Sequence, residues 1–416
     1  MKFNWFLKQI ELREPVSDLT WDGRLFVVHV INNLNVGGAE HFLVQLMRAQ
    51  IALGWHVGVV TLTEPNPLAH DIYGSGILYR GCARSRLNDP RLLFDLLALM
   101  QRLRPDVVHT HLFYADTFGR VAARLAGISA LVSTEHSTEG WALSAKRRTV
   151  MRWTTPLCRR LVAVSEAVRQ SAAARLRVPA ARIVVIPNGI DVAALVQAQP
   201  LPRAELGVAA DPFVIGCVGR MVASKGYDTL LRAVARLEGA SAHPAGEQPR
   251  GVVAGNASSV QVLMIGDGPE RRALRELAVR LGLEGRVRWL GVRADVPRLL
   301  KMLDVFVLPS TYEGHSIALL EAMAAGCPCI VSDIPEIVET VGEAALRVPP
   351  RDEGALAVAL QELWQDPARR TGLGAAAQQA VQRFSITASA QSYSSVYQEI
   401  LGTRHTPAAR ERGEPK

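Results

Sequence analysis

Residues Val305–Ser332 read VFVLPSTYEGHSIALLEAMAAGCPCIVS. An apolar run, Val305–Leu308, stops at Pro309, and a polar loop follows. A helical pattern begins near Ser316, and a second apolar run occupies Cys329–Ser332. Strand, helix and strand in succession, with both strands continuously apolar, predict a parallel sheet covered by helices on both faces.

The alternation continues in both directions. Strands are expected at Phe213–Gly219, Gln261–Ile265 and Arg286–Leu290, with a helix from about Gly226 to Leu237. In the first half the apolar runs are Leu25–Ile31, His56–Leu62, Asp106–Thr110, Ala130–Thr134, Leu161–Val164 and Arg182–Ile186. Helical patterns such as Ala39–Leu53 and Leu92–Leu103 lie between them. Pro187-Asn188-Gly189 closes the last of these strands with a turn. Residues 190–211 carry two prolines in a polar stretch and then Asp211–Pro212, which places the domain boundary there.

The expected architecture is therefore α/β, with two Rossmann-like domains whose parallel sheets face each other across a cleft. Residues 1–24 form an N-terminal extension, 25–195 the first domain and 196–385 the second. A helix at 386–403 returns to the first domain, and 404–416 is a disordered tail. Gly239–Val260, rich in Gly, Ala, Ser and Pro, reads as a surface insertion. Further helices are expected at about 353–365, 367–383 and 386–402.

Composition excludes several classes. With 49% hydrophobic and 21% charged residues in 416, a disordered, collagen-like or coiled-coil chain does not fit. No apolar run reaches the roughly 18–20 residues of a membrane span, and the first residues lack the pattern of a secretory signal. Cysteines at 82, 158, 217, 327 and 329 are odd in number and scattered, which predicts buried thiols and a cytoplasmic protein. The first 200 residues hold 23 Lys and Arg against 15 Asp and Glu, and the rest hold 24 against 24, so the whole excess of +8 lies in the first half. Such a half favours an anionic membrane surface or a phosphorylated substrate. Without interleaved aromatics, no nucleic acid partner is expected.

In open α/β sheets ligands lie beyond the carboxyl ends of the strands, and suspicious residues recur there. Gly219-Arg220 and Lys225-Gly226 follow one strand, and two cations beside glycines suit a diphosphate. Gly266-Asp267-Gly268 follows another, where small residues permit close approach of a base or phosphate. Glu313 stands in the loop after Leu308, and Glu321 about one turn into the next helix. The N–H groups at that helix start, around His315, Ser316, Ile317 and Ala318, form an anion site between the two carboxylates. This arrangement suits a sugar nucleotide, held by its phosphates and its hydroxyls.

The first half offers less. Asn32 to Glu40 joins the first strand to its helix through Gly37 and Gly38 without the dinucleotide Gly-x-Gly-x-x-Gly fingerprint, which counts against a nicotinamide enzyme. His109 and His111 close a strand on one face. His111 is the better candidate to meet substrate, with a buried structural histidine as the alternative. Glu135-His136-Ser137 ends the next strand in the same way, and Ser165-Glu166 reads equally as a helix cap.

Taken together, Gly219-Arg220-x4-Lys225-Gly226, Gly266-Asp267-Gly268-Pro269-Glu270, Glu313-x7-Glu321 and Pro187-Asn188-Gly189-Ile190-Asp191 resemble the retaining GT-B enzymes of glycosyltransferase family 4, from about Val27 to Leu401. The resemblance implies a nucleotide-sugar donor, with UDP the commonest nucleotide, and a glycan or lipid-linked acceptor in polysaccharide biosynthesis. It makes the first domain the acceptor side and the second the donor side. Arg220 and Lys225 would contact the diphosphate, Glu321 the ribose and Glu313 the transferred sugar. Amides at His315–Ala318 would meet sugar or phosphate, Gly37 and Gly38 would approach the phosphates, and His111 would lie beside the anomeric carbon. No metal or other cofactor is expected, and the sequence has no Asp-x-Asp. His315-Ser316 stands where many members carry Phe-Gly. Phe3, Trp5, Phe6 and Leu7, with the basic first half, suggest peripheral contact at the inner face of an anionic membrane. The alternatives are a GT-B epimerase or phosphorylase, or a non-catalytic sugar-nucleotide-binding subunit.

Overall fold

The computed structural model describes residues 24–138, 144–208, 212–239 and 260–402. The N-terminal extension up to residue 23, the body of the 239–260 insertion and the 404–416 tail lie outside the described residues. So do residues 209–211 of the expected boundary.

One unit runs to Pro187 and takes the chain back at Ile386. Its strands are β1 (Phe26–Ile31), β2 (His56–Thr63), β3 (Leu78–Arg84), β4 (Val107–His111), β5 (Leu131–Glu135), β6 (Arg160–Ala163) and β7 (Ile183–Val185). They pair in parallel in the order β3-β2-β1-β4-β5-β6-β7. Strands β1, β4 and β5 are buried along their whole length, as continuous apolar runs in a sheet covered on both faces must be. Leu92, Leu96, Met100 and Leu103 form the buried stripe of helix Arg91–Leu103 and share a core with Val28, Val30, Val60 and Val108. Strand β3 was not expected. It is only half-buried and mixes Tyr79, Arg80, Gly81 and Cys82, so no apolar run announces it.

The other unit is Asn188–Ser385. It contains β8 (Phe213–Val218), β9 (Val260–Ile265), β10 (Val287–Gly291), β11 (Val305–Leu308), β12 (Cys329–Ser332) and β13 (Leu346–Val348), in the parallel order β10-β9-β8-β11-β12-β13. Strand β13, three residues with Arg347 at its centre, also escaped the sequence reading. The units divide at Pro187–Asn188 rather than at residue 196. Ile190 forms a parallel bridge with Ser385, and its N–H donates to the Phe384 carbonyl at 3.0 Å. Arg203 in turn donates to Asp304 Oδ2 at 2.7 Å. The expected linker is thus largely part of the second unit.

Helix Ile386–Leu401 packs on helix Gly38–Ala52 of the first unit. Phe42 and Tyr393 stand 6.3 Å apart and Trp55 and Tyr397 5.4 Å, measured between ring centroids. In each sheet two neighbouring strands send their successors to opposite sides: β1 and β4 in the first, β8 and β11 in the second. At such a switch point the crossovers part and leave a crevice at the carboxyl ends of the strands.

Candidate active site

In the second unit three loops leave the switch point and are sewn together by their backbones. The Gly219 N–H donates to Ile265 O (3.0 Å), Met221 N–H to Asp267 O (2.9 Å), and Thr311 N–H to Ser224 O (2.8 Å). Two glycines are required for this closeness. Gly226 has φ +63°, and a Cβ there would lie 2.1 Å from the Pro309 carbonyl oxygen. Gly266 has φ +125°, and its Cβ would lie 2.1 Å from the Gly219 carbonyl oxygen.

On this base the candidate side chains fall into place. Lys225 Nζ donates to Glu313 Oε1 at 2.5 Å, and Ser310 Oγ donates to the same oxygen at 2.7 Å. Arg220, just past Gly219, is exposed. Asp267 is already engaged: Oδ1 accepts from the Gly268 N–H and Oδ2 from Arg271 Nη1, each at 2.7 Å, so its carboxylate closes its own turn.

Helix Ile317–Ala324 starts at Ser316, whose hydroxyl accepts from the Leu319 N–H at 3.4 Å. This is why Ser is accommodated here: it caps the helix. The Ile317 and Ala318 amides lie in the first turn, where an α-helix leaves N–H groups without an intrahelical partner. Glu321 is half-buried, and burial pushes its carboxyl up to about 7. The His315 ring is turned to Phe384, 4.9 Å away edge to face, and its carbonyl accepts from Asn188 Nδ2 at 3.0 Å. Burial, aided by Arg383, pushes this imidazole down to about 3.

In the first unit Gly37 caps helix Gly38–Ala52, and Asn32 Oδ1 accepts from the Ala115 N–H at the next helix start. His111, expected either to meet substrate or to be a buried structural histidine, closes β4. It is wholly buried, with Nε2 at 3.1 Å from His29 Nδ1 and Nδ1 at 3.1 Å from His136 Nε2. The next residue, Leu112, holds φ +70° with ψ 156°, a region that costs a non-glycine residue about 1–3 kcal/mol and that collects at functional turns.

Sequence reasoning missed His29, Gln50, Tyr393 and Tyr397, and quoted His136 without a role. His29 lies in register with His109 across β1 and β4. Its Nε2 meets Gln50 Oε1 at 2.8 Å. His109 is held between the Tyr397 hydroxyl (2.6 Å) and Thr134 Oγ1 (2.7 Å). Burial pushes His29 and His136 down to about 4, and His109 and His111 also well below the usual histidine range. By distance His29, His109 and His111 are able to share one cation, with ligand atoms within 4.8 Å of one another. Every ring nitrogen of the three, however, already has a hydrogen-bond partner.

Residues 36–194 match the family described as Glycosyltransferase Family 4, and residues 212–366 match that described as Glycosyl transferases group 1, one in each half of the chain. The chain is a family 4-type glycosyltransferase. Over 263 residues this glycosyltransferase is 34% identical to the UDP-Gal:alpha-D-GlcNAc-diphosphoundecaprenol alpha-1,3-galactosyltransferase of Escherichia coli. That match takes in 60% of the chain and 63% of its relative, less than two thirds of the relative's length. It is 29% identical to the putative glycosyltransferase EpsF of Bacillus subtilis, over 74% of the chain and 79% of EpsF. Its fold is GT-B. The crystal structure of Anabaena Alr3699/HepE with UDP-glucose superposes with a TM-score of 0.73 at 23% identity, covering 89% of this glycosyltransferase and 99% of the other chain.

Proposed function

We propose that this glycosyltransferase moves a hexose, with retention at the anomeric carbon, from a UDP-sugar to a glycan or lipid-linked acceptor in polysaccharide biosynthesis. The observation that carries the reading is the Lys225–Glu313 pair at the β8/β11 switch point, beside exposed Arg220 and the capped start of helix Ile317–Ala324. Cations and a helix N-terminus on one part, carboxylates on the other, are what a pyrophosphate-linked sugar needs.

In this mechanism Arg220, Lys225 and the Ile317 and Ala318 amides stabilise charge growing on the leaving diphosphate. Glu321 accepts from the ribose hydroxyls, and Glu313 from the transferred sugar. Gly219, Gly266 and Gly268 let the nucleotide lie close to the backbone, while Gly37 and Gly38 do the same for the phosphates. Glu313, held by Lys225 and Ser310, positions the sugar rather than attacking it. The leaving phosphate takes the acceptor proton on the face it departs from, so positioning and electrostatics supply the rate. His111 acts by orienting His136. No divalent ion is needed, because Arg220 and Lys225 supply the positive charge.

The donor and acceptor in the name of the E. coli relative, UDP-Gal and a diphosphoundecaprenol-linked sugar, support UDP and a lipid-linked acceptor. With the basic first half, they support work at the cytoplasmic face of an anionic membrane. No described helix is long and apolar enough to cross a membrane. The test is a thermal-shift panel of nucleotide sugars, followed by product analysis with the donor that stabilises most. A UDP-sugar is expected to raise Tm by several degrees and to give an α-linked product. No response to any UDP-sugar, or an inverted product, would overturn the reading.

A further inference from the structure

Helix Tyr227–Gly239 begins directly after Lys225 and Gly226, and its first residue places a phenol beside the candidate site. The Tyr227 ring shares the core of the second unit with Cys217, Leu230 and Met264. The residue is 2% exposed, and its hydroxyl has no hydrogen-bond partner among the described residues. Phenylalanine would fill the same space without burying an unpaired O–H, so packing alone favours it there. The hydroxyl therefore points to a partner that the fold itself does not supply.

Its position narrows that partner. A Cβ built on Gly219 would lie 2.9 Å from the Tyr227 hydroxyl oxygen, 3.6 Å from Lys225 Cε and 4.0 Å from Lys225 Nζ. The side that Gly219 leaves bare is thus bordered by one neutral O–H and one cation. Burial, with Cys217 and the Glu313 carboxylate adding to it, holds the phenol well above its usual range, so the proton stays on the oxygen. Glu313 Oε1 is already taken by Lys225 and Ser310. We infer that Tyr227 donates a hydrogen bond to a diphosphate oxygen of the nucleotide sugar, laid against Gly219 and shared with Lys225. The Lys225 side chain is the movable cover of this place: its ammonium turns from Glu313 to the phosphate and uncovers the hydroxyl. An O–H donating to an anionic oxygen makes a bond roughly twice as strong as a neutral one, and it strengthens as charge builds on the leaving group. The inference rests on the glycosyl-transfer reading of the β8/β11 switch point.

Tyr227→Phe, made in the full-length protein, removes the hydroxyl and keeps the ring. Without ligand its Tm is expected to hold or rise, because an unpaired buried group is lost. A Tm several degrees lower would show that the hydroxyl is already satisfied within the fold, and overturns the inference. Calorimetric titration with uridine, UMP and UDP then reads the contact. UDP affinity is expected to fall about tenfold, and uridine, which has no phosphate, to bind both proteins alike. A matching loss for UMP assigns the bond to the phosphate next to the ribose, and a loss for UDP alone assigns it to the distal phosphate. Equal UDP affinity in the two proteins, or an equal loss with uridine, overturns the inference.

A second readout does not depend on affinity. Protein labelled with 3-fluorotyrosine gives one 19F resonance for each of its seven tyrosines, and the one missing from Tyr227→Phe belongs to Tyr227. UDP is expected to shift that resonance, and uridine to leave it in place. A resonance that saturating UDP does not move overturns the inference even where affinity has fallen. Failure of the unsubstituted protein to bind UDP or any UDP-sugar would overturn the functional reading and this inference with it. UDP binding that Tyr227→Phe leaves intact removes the inference alone.

Discussion

Lys225 and Glu313 lie 88 residues apart, yet their side chains meet at 2.5 Å, with Ser310 donating to the same carboxylate oxygen. The ion pair is a consequence of strand order: β8 and β11 are neighbours, so the loops that follow them share one edge of the sheet.

Removing the cation separates catalysis from stability. Lys225→Ala is expected to reduce kcat about 10²–10³-fold, the usual loss for one preorganised charge-stabilising group. The two side chains are only 18% and 11% exposed, so Tm is also expected to fall, by several degrees, with the fold retained. Turnover within threefold of the unsubstituted enzyme, assayed on the donor chosen by the panel, would remove Lys225 from the mechanism.

Glu321 links nucleotide affinity to pH. Burial raises its carboxyl to about 7, so much of it is protonated at pH 6 and unable to accept from both ribose hydroxyls. Calorimetric affinity for UDP is expected to rise by about tenfold between pH 5.5 and 8. Glu321→Gln binds more weakly and retains only the titration of UDP's own phosphate. Identical pH profiles for the two proteins would contradict the assigned role.

The buried histidines act on folding with the opposite sign. In the unfolded chain they take protons near 6.5, whereas folded His29 and His136 do so only near 4. The unfolded state therefore binds more protons in that window, and stability falls as pH drops from about 6.5 toward 4. Glu321 and Asp116, both raised by burial, work against this trend, but the lowered histidines outnumber them. Urea denaturation at pH 7 and pH 5 is expected to show a lower midpoint at pH 5, and an equal or higher one refutes the argument.

Gly226→Ala tests the loop junction. The new methyl group would meet the Pro309 carbonyl oxygen at a backbone angle alanine avoids, costing more than about 1 kcal/mol. Activity is expected to fall further than stability, because Pro309 leads directly into the Ser310–Glu313 loop. A change under about 0.5 kcal/mol in urea denaturation would show that the loops yield freely.

Chelation addresses the metal question. With Arg220 and Lys225 carrying the diphosphate, turnover is expected to persist in excess EDTA. A loss restored by added manganese would show that a divalent ion shares that work.

Much of the second unit's site was legible because one strand–loop–helix segment carries Glu313, Ser316 and Glu321 close together in sequence. The partnership of Glu313 with Lys225 was not, since nothing in either loop states that β8 and β11 are adjacent. Buried strands were placed to within a residue or two by their apolar runs, while β3 and β13 lacked such a run. His109 and His111 drew notice as a pair on one face. His29 did not, because its nearness to them depends on the β1/β4 register, and Gln50 and Tyr397 arrive from helices far away in the chain. His315 was singled out for its backbone amide, and where its ring lies, edge to face with Phe384, depends on a residue 69 positions further along the chain.

Tyr393 and Tyr397 belong to a helix that follows the entire second unit, yet their hydroxyls complete the histidine cluster of the first. The amino-terminal half is consequently made first and finished last. As the chain leaves the ribosome, its earliest sheet waits, with a polar interior still uncovered, until the whole second unit has been joined. A protein cut before Ile386 would keep every strand of that sheet and still lack the hydroxyls that seal it.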